Sequence, residues 1–231
     1  MDKITAIIVA GGSGKRMGTD IKKQYILLKQ KEILAHTIEA FEECEFIEEI
    51  ILVVSKEEIE YVKERIVAYY HFNKVKKVVE GGKERQDSVY NGLLQTDKRT
   101  SYVVIHDGAR PFITQETIYN CLQKAKETGA SIVAVPVKDT IKVCHAESHK
   151  VEETPNRDKL WSVQTPQIFA FELLIDAYQY AKERQLQVTD DSMIVEAFGR
   201  AVYITRGEYS NIKVTTPEDL IIGEAIMNEK I

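Results

Sequence analysis

Ile4-Thr5-Ala6-Ile7-Ile8-Val9-Ala10-Gly11-Gly12-Ser13-Gly14-Lys15-Arg16 stands near the start of the chain. The apolar run reads as a buried strand, and the glycines end it abruptly. A buried strand emptying into a glycine loop brings backbone N–H groups close to a ligand. The cations Lys15, Arg16, Lys22 and Lys23 imply that this ligand is an anion, with a phosphate chain the natural candidate. The cluster runs against its surroundings, because 36 acidic residues against 31 lysines and arginines leave the 231-residue chain at a net charge of −5.

Downstream, strand-like runs at 6–9, 49–54, 77–79, 102–106 and 131–135 alternate with helical patterns at 33–43, 56–69, 85–95 and 115–128. In the second helical stretch Ile59, Val62, Ile66 and Tyr70 recur at helical spacing. The alternation predicts an α/β fold: a doubly wound, mostly parallel, Rossmann-like sheet with helices on both faces. Ligands in such sheets sit at the carboxyl ends of strands, where the loops after Val9 and His106 belong.

After Val137 the alternation breaks. Segments 140–144 and 150–154 flank a polar turn at 145–149 and read as a β-hairpin. It carries few large apolar residues, so it reads as a protruding arm that packs on a partner subunit; an edge hairpin of the sheet is the alternative. Helices follow at 170–184 and 190–198, the latter capped by Thr189, then a strand at 201–205. A last helix begins at Thr216-Pro217, with proline in its first turn. No linker or repeat interrupts the chain, which reads as one domain over 1–231 with an arm at about 138–163.

The acidic balance argues against a nucleic-acid coat, so no nucleic-acid partner is expected. No apolar run approaches the ~18 residues of a membrane span. Cys44, Cys121 and Cys144 are odd in number and far apart, which suits a reducing cytoplasm and no disulfide framework.

Two familiar phosphate loops fail at the glycine run. A P-loop needs Ser or Thr after Gly14-Lys15, and Arg16 stands there, with Val9 in place of the first glycine. A dinucleotide loop needs a third glycine where Met17 stands and an acid after the second strand, where the chain has Ser55-Lys56. A loop of backbone donors with point cations suits a nucleoside triphosphate; a tight strand-to-helix turn with solvated cations is the bland alternative.

Five further motifs accompany that loop in order. They are 81–89 (GGKERQDSV), 106–112 (HDGARPF), Asp139-Thr140-Ile141-Lys142, Arg157 with Leu160-Trp161 and Gln164-Thr165-Pro166-Gln167, and 211–215 (NIKVT) followed by Pro217-Glu218-Asp219-Leu220. Together they resemble the sugar-nucleotidyltransferase group, and within it the cytidylyltransferases that act on 2-C-methyl-D-erythritol 4-phosphate in non-mevalonate isoprenoid synthesis. The resemblance spans nearly the whole chain. It implies CTP and methylerythritol 4-phosphate as substrates, pyrophosphate as a product, Mg²⁺ as cofactor and a homodimer joined through the arm. The chemistry agrees: two polyanions must meet at the α-phosphorus, so positioning and fixed cations suffice without a covalent nucleophile.

By the same resemblance Arg16 and Lys23 stabilise the transition state, and Lys213 and Arg157 hold the alcohol phosphate for attack. Ala10, Gly11, Gly12, Ser13, Gly14, Lys15, Gly81, Gly82, Ser88 and Asp107 bind CTP. Asp107 also holds the metal, and Arg110, Thr140 and Thr165 assist the second substrate. Thr140 and Arg157, on the arm, are expected to serve the neighbouring subunit. Arg85 and Asp87 can instead pair with each other at a helix start, and His106 reads as a packed strand-end histidine rather than a base. The family usually has proline where this chain has Lys22, so the sequence leaves open which of Lys22 and Lys23 faces the ligand. It often has alanine in place of Gly108, a small difference expected to leave the metal site undisturbed. A ribitol 5-phosphate cytidylyltransferase and a non-catalytic nucleotide-binding protein on the same fold are the competing readings. The run of Arg157, Leu160 and Trp161 disfavours the first, and the full cation set with Asp107 disfavours the second.

Overall fold

The computed structural model describes residues 2–12 and 22–229. Its central sheet has seven strands in the order β11-β7-β10-β6-β1-β4-β5. Chain order runs β1 (Lys3–Val9), β2 (Leu27–Leu28), β3 (Lys31–Glu32), α1 (Ile33–Glu42), β4 (Glu49–Val54), α2 (Ile59–Tyr61), β5 (Val75–Glu80), α3 (Arg85–Leu94), β6 (Thr100–Asp107), α4 (Gln115–Thr128) and β7 (Ala130–Pro136). Then come β8 (Val143–Cys144), β9 (Val151–Glu153), β10 (Trp161–Ala170), α5 (Phe171–Glu183), α6 (Asp191–Ala197), β11 (Tyr203–Arg206) and α7 (Pro217–Glu229).

The expected doubly wound α/β sheet is present. β1 pairs in parallel with β4 on one side and β6 on the other, and β11 with β7. The chain moves outward from β1 through β4 to β5, then returns to place β6 on the opposite flank of β1. That reversal opens a crevice beyond the carboxyl ends of β1 and β6, where such folds bind ligands. The register is tight there: Val9 is the partner of Asp107, and the Gly108 N–H donates to the Val9 carbonyl at 2.9 Å.

Two apolar layers clamp the sheet. One holds Ile4, Ala6 and Ile8 of β1 with Leu34, Ile38 and Phe41 of α1 and Ile118 and Leu122 of α4. The other holds Ile7 with Val89 and Leu93 of α3 and Leu174 and Tyr178 of α5. β1 is covered on both faces, which is why it reads as a continuous apolar run rather than an alternating one. Among the described residues, no helix is long and apolar enough to cross a membrane.

Several expectations change in detail. β10 was not foreseen. It lies between β6 and β7 and runs antiparallel to both. Pro166, in its middle, is a residue that usually argues against an interior strand; a register shift between Val163 and Gln167 accommodates it. The stretch expected as one helix over 56–69 is a 3₁₀ turn, a short α segment and a π-helical turn in succession, with Val62 and Ile66 still buried. Asp190, not Thr189, caps α6: its carboxylate accepts the Met193 N–H at 3.0 Å. The expected hairpin forms as β8 and β9, a separate two-stranded sheet whose residues are all exposed. It is an arm rather than an edge of the main sheet.

Candidate active site

The glycine loop, the end of β6, the turn before α3 and the segment before α7 converge on a cleft of about 470 Å³. Gly11, Gly12, Lys23, Gly82, Asp107 and Lys213 line it, together with Arg85 and Ser88. Ser13, Gly14, Lys15 and Arg16 lie outside the described residues. Lys22 and Lys23 separate clearly. Lys23 lines the cleft, whereas Lys22 Nζ pairs with Glu58 Oε2 at 3.1 Å and donates to Ser55 Oγ at 3.1 Å.

Asp107 is the electrostatic centre. It ends β6 almost completely buried, and its carboxylate meets Lys213 Nζ at 2.6 Å, Arg85 Nε at 3.3 Å and Arg110 Nε at 3.8 Å. Burial by itself would oppose ionisation; the charges of Arg85, Lys213 and then Arg110 outweigh it and hold the carboxyl well below the usual carboxylate range. Arg85 is shared with Asp191, so three cations face two carboxylates and one positive charge is left over, which suits a site for phosphates.

A relay behind Asp107 fixes its backbone. The Asp107 N–H donates to Thr165 Oγ1 at 3.1 Å, and that hydroxyl lies 3.0 Å from His106 Nδ1. His106 Nε2 lies 3.1 Å from the Arg110 carbonyl, which can only accept, so Nε2 carries the proton and Nδ1 accepts from the threonine. Burial pushes this imidazole down to about 4, in keeping with a neutral ring. His106 is thus the packed strand-end histidine expected. Thr165, expected on the substrate, instead spends its hydroxyl proton on His106 and holds Asp107. Arg110 donates from Nη1 to the Asn211 carbonyl at 2.8 Å and flanks Asp107 from within the fold.

The second glycine loop owes its shape to close approach. Ser88 Oγ accepts the Gly82 N–H at 3.0 Å and donates to the Glu84 carbonyl at 3.1 Å. A Cβ at Gly82 would fall 2.2 Å from the Asp87 Cβ, and one at Gly81 2.9 Å from Ser88 Oγ. Ser88 therefore braces the loop from beneath while also lining the cleft.

Arg85 is the residue that sequence reasoning missed. Asp87 does not pair with it; the Asp87 carboxylate accepts the Glu84 N–H at 3.0 Å in a capping box at the start of α3. Arg85 is left to bridge Asp107 and Asp191, donating from Nη1 to Asp191 Oδ2 at 2.8 Å. Asp191 is fully buried, accepts the Tyr178 hydroxyl, and its N–H donates to Gln167 Oε1 at 3.1 Å. The adjacent acids Asp190 and Asp191 were the available signal, but at a helix start such residues read first as partners of the helix dipole.

Gly108 sits where β1, β6 and α1 approach closely. A Cβ there would lie 2.9 Å from the Ala10 Cβ and 3.0 Å from Leu34 Cδ1, so alanine is not harmless in this chain. Gly108→Ala is expected to lower stability by ~1–3 kcal/mol through overpacking at the β1–β6 junction. A urea melt checks it, and an unchanged midpoint would show that the junction relaxes freely.

Thr140 and Arg157 do not line this cleft. Arg157 starts a 3₁₀ turn at the base of the arm, donates from Nη1 to the Lys138 carbonyl at 2.9 Å, and borders a second depression with Lys138, Asp158 and Trp161. Thr140 is exposed on the approach to β8.

A doubly wound sheet whose switch-point crevice carries two glycine loops, a buried carboxylate and converging cations defines a nucleotidyltransferase. Comparison gives the family: residues 4–229 match the model of the 2-C-methyl-D-erythritol 4-phosphate cytidylyltransferases, and the chain belongs to that family. A relative of that name from Alkaliphilus oremlandii is 53% identical over 230 residues, covering 100% of this chain and 97% of its own. One from Clostridioides difficile is 50% identical, covering 97% and 93%. The crystal structure of 4-diphosphocytidyl-2C-methyl-D-erythritol synthase from Anaerococcus prevotii superposes with a TM-score of 0.85 at 34% identity, covering 98% of this chain and 99% of that one. The Francisella tularensis cytidylyltransferase gives 0.83 at 30% identity, covering 97% and 100%. The chain is a cytidylyltransferase of isoprenoid biosynthesis, joining CTP to 2-C-methyl-D-erythritol 4-phosphate.

Proposed function

We propose that the cleft beyond the carboxyl ends of β1 and β6 carries this reaction with fixed cations and a buried carboxylate, and with no covalent intermediate. The observation that carries the proposal is Asp107, buried at the end of β6 under Lys213, Arg85 and Arg110. A phosphate oxygen of methylerythritol phosphate attacks the α-phosphorus of CTP, and the bond to the β-phosphate oxygen breaks to release pyrophosphate. The obstacle is charge, because two polyanions approach and negative charge builds on the leaving group. Lys213, paired with Asp107 here, exchanges that carboxylate for the incoming phosphate when substrate arrives. Lys23 and Arg16 act on the α- and leaving phosphates. Gly11, Gly12, Gly81 and Gly82 let the backbone close on the nucleotide without steric cost.

The donor set fits Mg²⁺. Asp107 supplies one hard carboxylate at the cleft wall; no group of three His, Cys, Asp or Glu residues gathers among the described residues, so substrate phosphates and water would complete the shell. Magnesium is commonly held by one or two carboxylates, with substrate phosphates and water supplying the rest. When bound it neutralises charge on the triphosphate. The exposed arm, with Ile141, Val143 and Val151 on its surface, is read as a dimer contact, and the cytoplasm as the location.

With CTP and Mg²⁺, pyrophosphate release is expected with methylerythritol phosphate and to be at least tenfold slower with ribitol phosphate, since each alcohol phosphate must fill the same polar contacts. A coupled pyrophosphate assay with both alcohols in parallel tests this. A preference for ribitol phosphate would overturn the substrate assignment, and no release with either would favour a binding protein.

A further inference from the structure

Two neighbouring lysines stand at the entrance to the cleft, and only one of them lines it. The structure shows what sorts them. Lys22 Nζ is 3.1 Å from Glu58 Oε2, and Glu58 is itself buried behind the loop that follows β4. Tyr25, three residues on, lies near the same carboxylate, its hydroxyl without a hydrogen-bond partner among the described residues: burial and then the Glu58 charge push its phenol well above the ordinary tyrosine value. Lys22 and Tyr25 thus both turn to Glu58, while Lys23 and Gln24 between them turn to the cleft. The short 3₁₀ turn Lys23–Tyr25 explains the geometry, because about three residues per turn puts Lys22, which precedes it, and Tyr25, which ends it, on one side.

A second set of contacts joins this turn to the first glycine loop. Gln24 Nε2 donates to the Ala10 carbonyl at 2.7 Å. Ser55 Oγ accepts from Lys22 at 3.1 Å and lies 3.5 Å from the Gly11 carbonyl. Glu58 is itself fixed, its Oε2 accepting the Ser55 N–H at 3.3 Å.

We propose that Glu58 is a positioning residue for Lys23: by anchoring Lys22 it holds the turn Lys23–Tyr25 against the cleft and aims Lys23 at the nucleotide phosphates. This rests on the phosphate-contacting role given to Lys23 above. Glu58 touches no reacting atom and acts only through the turn. It also keeps the Lys22 charge out of the cleft, so that one cation of the adjacent pair is presented at a defined place.

The test is steady-state kinetics on the full-length enzyme with CTP and methylerythritol phosphate, on Glu58→Gln, Lys22→Ala, the double variant and Lys22→Arg. Misplacing a catalytic cation by a fraction of an ångström should cost about tenfold in kcat/KM for CTP. Glu58→Gln and Lys22→Ala should each show that loss, and the double variant should lose no more than either single one, because both remove one link. KM for methylerythritol phosphate should stay within about twofold, and Lys22→Arg should restore most of the activity. Glu58 is buried and Lys22 only 35% exposed, so each single variant is also expected to lower the melting midpoint by several degrees, and the kinetics rather than the midpoint decide. Losses that multiply in the double variant would overturn the link between Lys22 and Glu58. A lowered melting midpoint with unchanged CTP kinetics would make Glu58 structural. Should Glu58→Gln fail to fold, Lys22→Ala and Lys22→Arg carry the test, and equal activity in both would overturn it. Loss of all turnover in Lys23→Ala is required by the reading this rests on; wild-type turnover there would sink that reading, leaving the Lys22–Glu58 coupling to be judged by the cycle alone.

Discussion

Asp107→Asn is expected to lower turnover on the order of 10²–10³-fold, because the site loses its buried carboxylate and with it the proposed metal ligand. The same change should destabilise the fold. Asp107 is almost fully buried under Lys213, Arg85 and Arg110, so its removal leaves three cations facing one another. Arg85 keeps Asp191, and Lys213 can turn toward water, which limits the cost to about 2–3 kcal/mol. The pH dependence has a definite sign. The folded-state pKa of Asp107 is depressed, so its contribution is fully present above the unfolded value and is lost as pH falls through the folded one. Wild-type stability should therefore fall below about pH 4, and the Asp107→Asn variant should lack this share of the acid slope. Urea melts at several pH values beside pyrophosphate assays check both halves. Full activity in Asp107→Asn would remove Asp107 from the chemistry, and an unchanged acid slope would remove it from the stability argument.

The sheet was legible because β1, β4, β6 and β7 are buried on both faces and their apolar runs are bounded by glycines, charges or turns. β10 was not legible. Its sequence, Trp161 to Ala170, mixes polar residues with Pro166, and its first three residues are exposed. It owes its place to partners on both sides, which local propensity does not report. The site divides in the same way. Asp107 and the glycine loops follow from strand ends, whose position a periodic pattern marks. Arg85 depends on Asp191, 106 residues away, and on Tyr178 behind it. Two charges at a helix start have many local uses, so nothing in the segment 84–88 marks Arg85 as a bridge. Thr165 shows the converse: a residue in a recognisable motif can serve the motif's neighbour, here by accepting the Asp107 N–H while donating to His106.

Arg157 and Lys213 supply the other large effect, through a mixing experiment. Both are assigned to the alcohol phosphate, yet within one chain Lys213 lines the cleft and Arg157 sits at the base of the arm, bordering a different depression. The two can meet one substrate if the exposed arm of one subunit reaches the cleft of the other. In a two-fold dimer each site would then take Lys213 from one chain and Arg157 from its partner. Lys213→Ala and Arg157→Ala should each lose on the order of 10²-fold in turnover, with the CTP affinity of the free enzyme changed far less. When the two inactive proteins are unfolded together and refolded, half of the dimers are mixed, and each mixed dimer holds one site with neither substitution. Recovery of about a quarter of wild-type activity is the expected outcome. Removing residues 142–151 should yield a monomer in sedimentation and block that recovery. A mixture no more active than its components, from proteins that sediment as dimers, would place Arg157 in its own chain's site or outside catalysis altogether.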